Sequence, residues 1–580
     1  MRAKVGIEEA LKTNLDWVRT TKRTVLLPNR HVRTEPYFVI MDLDTTQTHT
    51  GRIPPIVGAL IVTFLTVGFG ITATALLFSK WVNFDPFLFD FAMGSRIYQK
   101  LLHGVPFNYS THYYTILYMG VYPLFLPLYV FMPSVFLLFA IHVLCFTLAI
   151  PLLYTIARNI LPGILLPLVI IFAYTLNPSI DIMVLSFLRL EALWMVLFFL
   201  TILLEQRRRR QAAVWCATAA SIVRIDAAPA IFLLGLVYVL RRRRFFGFQL
   251  MKRALIVIAL MLSAMLILYV VTGVKFDPQQ LHFSGMSTAQ ESSGASCLRS
   301  VFGAALCRSS YKHFAILFQF FLLPLLAPLF LLPGLFSAAY VVLSYQGWRA
   351  IPQVAALLTP GNSLVPCIHV HDSYLLPVLF VAMIHGIKKI DNLIADVGWL
   401  KSRGVFLFRL AFSTCLTAGF FLVHWHFATP ELGPIPLTPS FDRKYYQQTD
   451  HAKLAWQVLR TVPKDKPGLM QFSFAERAAE HPLIEEIYPT SKVGTETRYA
   501  LFDLYAPSPN MPKSGLLRIA VEILQREDFR VATFEDGILL LTRGEADEKN
   551  REVLLWIERN SPILIETTHF SAHAKPTSRK

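Results

Sequence analysis

The chain has 580 residues, of which 54% are hydrophobic and only 16% charged, with a mean hydropathy of +0.48 and a net charge of +17. Soluble proteins carry about 25% charged residues. This composition therefore excludes an ordinary soluble domain, and several apolar runs of bilayer length point to a polytopic α-helical membrane protein. The basic excess does not imply nucleic acid, because Lys and Arg gather in short loops and in the N-terminal arm, as the positive-inside rule expects.

Residues 1–50 are polar and basic and read as a cytoplasmic arm, with no cleavable signal before the first apolar run near Ile53. Residues 53–78 run outward. A large external loop follows over 79–133, and within it the short, aromatic, proline-bearing stretch 116–131 reads as an interfacial helix. Residues 134–157 return inward to Arg158, 162–177 go outward to Asn177-Pro178, and 182–204 come back to Glu205. Residues 254–273 exit to a Ser/Gly-rich loop, 275–312, that holds Cys297 and Cys307, either as a disulfide or as two free thiols. The run 314–343, broken by Pro324, Pro328 and Pro333, suits a pair of half-length helices. Residues 373–387 go inward and 405–425 outward, which makes about ten membrane segments, some re-entrant or half-length, in a transmembrane domain spanning 51–430.

Residues 431–545 change character and read as a small external α/β domain. Helices are expected near 445–460 and 514–526, and short strands near 468–473 and 499–504. A hairpin of 529–534 and 538–543 turns at Glu535-Asp536-Gly537. A helix and a basic tail occupy 546–580.

One apolar stretch has the wrong length. Residues 211–240 are flanked by Arg207–Arg210 and Arg241–Arg244. If both arginine runs face the cytoplasm, the segment goes in and returns. Each arm is then about fifteen residues, or about 22 Å of helix, short of the roughly 30 Å hydrocarbon core. The turn would place Arg224 and Asp226 at membrane depth, where ionisable groups are functional candidates; a single tilted span with an internal Arg–Asp pair is the alternative.

Other residues carry chemistry of their own. Asp90, opening the helical pattern FDFAMGSRIYQKLLHG, is either an N-cap or a carboxylate placed to take a proton from a hydroxyl, with Asp85 as the fallback base. Glu191 lies in an apolar span and needs a partner, for structure alone or for substrate. The guanidinium of Arg224 suits a phosphate through paired charge-assisted hydrogen bonds, with Asp226 to orient it. His369, His371 and Asp372 open a late span, and His112-Tyr113 sits in the first loop; both suit substrate contact. His-x-His lacks a third ligand, so no metal site is assigned. No phosphate loop or dinucleotide fingerprint occurs.

Taken in order, these residues resemble the GT-C superfamily of membrane glycosyltransferases. More narrowly, they resemble a prokaryotic family of predicted membrane proteins called domain of unknown function 2079. The resemblance covers roughly 80–545 and rests on Asp90 to Gly104, His112-Tyr113, Asn177-Pro178 with Glu191, Arg224-Ile225-Asp226, His369 to Pro377, RYALFDL and DFRVATFEDGILLL. Two departures stand out. Ser95 replaces a second acidic residue, which weakens a paired-carboxylate metal site, and Arg224 replaces a lysine but keeps its charge.

The resemblance implies a GT-C-like fold and inverting transfer of sugar from a polyprenyl-phosphate lipid to an acceptor at the external face. In that reading Asp90 is the base, and Arg224, with His369 or His371, holds the departing phosphate. The implied setting is a cell membrane, with the N-terminus cytoplasmic and the C-terminal domain outside. The partners are the sugar lipid, bulk membrane lipid and an unidentified acceptor, with no nucleic acid. A divalent cation is compatible with the pattern but not required by it. A lipid-sugar flippase or other transporter, or a non-catalytic relative, are the competing readings.

Overall fold

The structure is a computed structural model that describes residues 55–84, 89–104, 121–186, 192–223, 227–272, 319–335, 375–397, 402–427, 436–439, 441–478, 481–487, 493–506 and 513–566. The apolar runs form helices α1 (Pro55–Val82), α2 (Phe89–His103), α3 (Val121–Phe131), α4 (Val135–Ile160), α5 (Leu165–Thr175), α6 (Pro178–Ser186), α7 (Ala192–Gln206), α8 (Arg210–Val223), α9 (Ala227–Leu240) and α10 (Arg244–Thr272). After the proline-rich 3-10 turns Leu323–Leu326 and Pro328–Gly334 come α11 (Leu375–Ala395) and α12 (Ser402–Phe427). The prolines of those turns remove the donors and the backbone room that an α-helix needs. Where the sequence suggested two half-length helices, the described part is therefore 3-10.

Among the described residues, four helices are long and apolar enough to cross a membrane: α1, α4, α10 and α12. The pair α5–α6, bent by 45° at the Asn177-Pro178 step, would make a fifth. The ten segments counted from sequence exceed this number because they include pieces such as α7 and α9, with 15 and 14 residues, too short to span alone.

The bundle has two distinguishable ends. α1 and α4 run antiparallel: Trp81 packs edge-on against Phe139 at one end, while Gly58 lies against Tyr154 at the other. At that second end Asn159 of α4 donates to the Gln206 side chain of α7 (2.8 Å), and Glu205 pairs with Arg243. The two arginine runs therefore lie together.

They also fold alike. Arg208 and Arg242 both take positive φ, at 60° and 62°. The N–H groups of Arg209 and Arg243 reach back to the carbonyls of Leu204 and Tyr238, each at 2.9 Å. Each run thus ends one helix in a left-handed cap and starts the next, giving two helical hairpins, α7–α8 and α9–α10. In the second, Gly235 and Gly247 let the backbones touch: a Cβ on Gly247 would lie 2.5 Å from the Gly235 carbonyl oxygen. The arms α8 and α9 have 14 residues each, about 21 Å of helix, and both have their arginine ends at this one face of the bundle.

The C-terminal head contains α13 (Asp450–Thr461), β1 (Gly468–Met470), α14 (Phe472–Arg477), β2 (Ile484–Glu486), β3 (Tyr499–Asp503), α15 (Lys513–Leu524), β4 (Phe529–Glu535), β5 (Ile538–Arg543) and α16 (Glu548–Glu566). The sheet order is β2-β1-β3-β5-β4, with β1 parallel to β2 and β3, and β5 antiparallel to β3 and β4. One apolar core joins the sheet to α15 and α16. Another joins it to α13 and α14, and includes Phe84 from the end of the first span.

Candidate functional site

The head is clamped onto the end of α1. The last carbonyls of a helix lack intrahelical donors and carry the negative end of its dipole. Here Arg477 of α14 fills that need: Nε donates to the Trp81 carbonyl (3.1 Å) and a terminal nitrogen to that of Lys80 (3.4 Å). Its guanidinium also stacks on the rings of Trp81 and Phe84, 4.8 and 5.2 Å from their centroids. The Trp456 indole donates to the Val82 carbonyl (2.9 Å), and the Thr449 N–H to the Asn83 side chain (3.2 Å).

Helix α2 lies in this junction, packed against α14 of the head and against α3 and α4 of the bundle. Ser95, Ile97, Tyr98, Gln99 and Lys100 are buried there. Ser95, standing where a second acid was expected, is hydrogen-bonded to the Tyr129 hydroxyl (2.5 Å), and the Tyr98 and Tyr129 rings stack. Asp90 is the second residue of α2, and its side chain lies outside the described residues, as do Asp85, His112, Glu191, Arg224, Asp226, His369, His371, Asp372, Cys297 and Cys307. Sequence position alone puts Arg224–Asp226 in the link between α8 and α9, and Glu191 directly before α7.

Two polar groupings escaped the sequence reading. The first lies in the bundle. A cavity of about 990 Å³ runs between α1 and α12, floored by α5 and α6. Its walls are mainly apolar, with Phe64, Phe69, Leu168 and Phe421 among them, and Asp181 and His424 stand in its lining. His424 Nδ1 is 3.2 Å from an Asp181 oxygen, while Nε2 donates to the Pro436 carbonyl (2.9 Å). Lys80 Nζ donates to the Leu185 carbonyl at the same, head-side end of the cavity (2.9 Å). Asp181 was detectable by the rule that singled out Glu191: it is an acid inside an apolar run. His424 lies some 240 residues away in sequence and became meaningful only once the fold brought them together.

The second grouping sits where the parallel strands of the head end, the usual binding edge of open α/β sheets. Asp503 accepts from the Tyr505 and Ala506 N–H groups and from His451, whose other ring nitrogen faces Asp536 at 3.0 Å. The Gln471 side chain accepts from the Asp503 N–H (2.6 Å) and donates to the Ala506 carbonyl. Burial works against a charged His451, but the two carboxylates outweigh it and push the imidazole up to about 9. Asp503, despite burial that works in the opposite direction, is held below the usual carboxylate range by His451 and by its two backbone donors. Burial lowers the nearby Lys513 to about 8. With both imidazole nitrogens engaged, this is an ion network that ties α13 to the sheet rather than a ligand set. Among the described residues, no three metal-ligating side chains converge with room for an ion.

A family model described as a predicted membrane protein, DUF2079, matches residues 84–466, from the end of the α1 clamp into the head. No curated protein matches the chain.

Proposed function

The chain belongs to that family of predicted membrane proteins, and from this premise we propose that it is a glycosyltransferase of GT-C type. It would take sugar from a polyprenyl-phosphate lipid and pass it, with inversion, to an acceptor on the side of the membrane that holds the head. Asp90 takes the proton of the attacking hydroxyl, with Asp85 as the alternative base. Arg224, with His369 or His371, binds and stabilises the departing lipid phosphate. Asp226 and Glu191 orient these groups, and His112 and Asp372 contact the sugar or phosphate.

The observation that carries this reading is the position of α2. The helix that begins next to Asp90 is held between the apolar bundle and the polar head, where a lipid-anchored sugar and a water-side acceptor can meet. The arginine turns, which the positive-inside rule assigns to the cytoplasm, lie at the opposite end of α4 from the clamp. That arrangement supports a reading with the head on the outer side.

A transfer assay in proteoliposomes, with a panel of polyprenyl-phosphate sugars, tests the assignment. Asp90→Asn and Arg224→Ala are each expected to lower turnover by about a hundredfold or more. Wild-type turnover in both variants would remove the site. The short arms α8 and α9 favour a second reading, a lipid-sugar flippase, because broken helices also suit a transporter's substrate pathway. Movement of donor across the bilayer with its sugar intact would support that reading.

A further inference from the structure

Trp215 of α8 and Arg253 of α10 have no part in the mechanism above. The two helices pack together, and both start at the arginine turns. Trp215 lies about 7 Å of helix in from Arg210, and Arg253 about 13 Å in from Arg244. The Arg253 guanidinium nevertheless sits over the Trp215 ring, 4.7 Å from its centroid. Its stem therefore leans back toward the arginine face, as long basic side chains do when the stem lies on apolar surface and the charge seeks the interface. Trp215 is 62% exposed, so the pair lies on the outer surface of the bundle, which in a membrane protein faces lipid. Tryptophan in such a place favours headgroup depth.

The pair leaves a demand open. A guanidinium stacked on a ring keeps its N–H donors in its own plane, pointing away from the ring. Among the described residues no carboxylate meets those of Arg253, and none meets the exposed Lys252 beside it. The arginines of both turns are exposed as well, and among the described residues they form one ion pair, Arg243 with Glu205. Unpaired cations at a membrane surface attract anionic lipids and repel cationic headgroup amines. The planar fork of donors matches phosphate oxygens through paired charge-assisted hydrogen bonds. A soluble phosphate would meet the charge but leave Trp215, and Phe245 and Phe248 near the start of α10, exposed to water. A phospholipid supplies phosphate and apolar cover together.

We propose that Trp215, Arg253 and Lys252, next to the arginine turns, bind the phosphate of an anionic phospholipid whose chains lie against α8 and α10 in the leaflet on that side. This site does not rest on the transfer reading.

Native mass spectrometry of the purified full chain in a neutral detergent, titrated with phosphatidylglycerol and phosphatidylcholine of identical chains, counts the lipid retained. Phosphatidylglycerol should be retained about tenfold better, the discrimination of a charge-assisted pair of hydrogen bonds. Arg253→Gln should abolish the preference. Trp215→Leu keeps an apolar side chain but removes the stacking face, and should reduce the preference about threefold. Arg403→Gln removes the same charge from an exposed position at the start of α12 and should leave the preference intact. All three substitutions fall at the surface, so each variant should elute as the wild type does. Equal retention of the two lipids overturns the proposal. An equal loss in Arg253→Gln and Arg403→Gln also overturns it, because it would mark diffuse charge rather than a site. Displacement of the lipid by excess glycerol 3-phosphate, a headgroup without chains, would assign the site to a soluble anion and overturn it too.

Discussion

Replacing Arg477 by methionine removes the cation that joins the head to the first span while keeping most of its apolar bulk. The bond to the Trp81 carbonyl is well formed at 3.1 Å, and those to Ser473 and Lys80 are longer, at 3.3 and 3.4 Å. Hydrogen bonds from a charged donor contribute about 1.5–3 kcal/mol when good and less when stretched. Stacking on Trp81 and Phe84 adds about 1 kcal/mol. Water reaching the freed carbonyls recovers part of this, so the net loss should be about 3 kcal/mol. At 1.4 kcal/mol per tenfold, the junction opens about a hundred times more often. Hydrogen exchange of the amides of Asn83 and Phe84, which bond to Ser79 and Trp81, reads this opening directly. Arg477→Lys keeps the charge but not the fork, and should fall between the two. Protection unchanged within a factor of three in Arg477→Met would refute the arginine clamp and leave the head held by the Trp456 and Thr449 hydrogen bonds and by the packing of Phe84 and α2.

The ion network of the head should make its stability pH-dependent. His451 is raised from 6.5 to about 9 in the folded state, so its contribution is complete below pH 6.5 and is lost as pH rises through about 9; the loss should reach about 3 kcal/mol. Thermal melts of the head across this range should show it, and His451→Gln should flatten the curve. Asp503 is lowered, so its contribution is present above the ordinary carboxylate value and fades as pH falls through the depressed one; acid melts of Asp503→Asn should lack that second decline. Gly247→Leu would drive a side chain into the Gly235 carbonyl and Val239, and should cost about 3 kcal/mol or prevent folding, seen as loss of the monodisperse peak in detergent. Gly68→Leu, of similar chemistry but opening into the cavity between α1 and α12, should be tolerated.

Periodicity and turn chemistry made much of this fold legible. The hairpin strands 529–534 and 538–543 correspond to β4 and β5, and Asp536-Gly537 takes the positive φ values that the Asp-Gly pair predicts, 43° and 77°. Strand β2 is three residues long between irregular segments and carries too little pattern to be seen. The short arms α8 and α9 followed from arginine spacing. The meeting of the two arginine turns through Glu205 and Arg243 did not, because it depends on how the hairpins pack. The same limit hid Arg477, an ordinary surface arginine by sequence, and His451, whose partners lie 52 and 85 residues away.

Sugar transfer is read most plainly in proteoliposomes of the purified protein, supplied with polyprenyl-phosphate sugars that carry a labelled sugar, by mass-spectrometric detection of released polyprenyl phosphate. A transferase releases polyprenyl phosphate in step with the appearance of an inverted glycoside, and Asp90→Asn abolishes both. Donor that remains intact with every sugar, or release that ignores Asp90, would contradict the account.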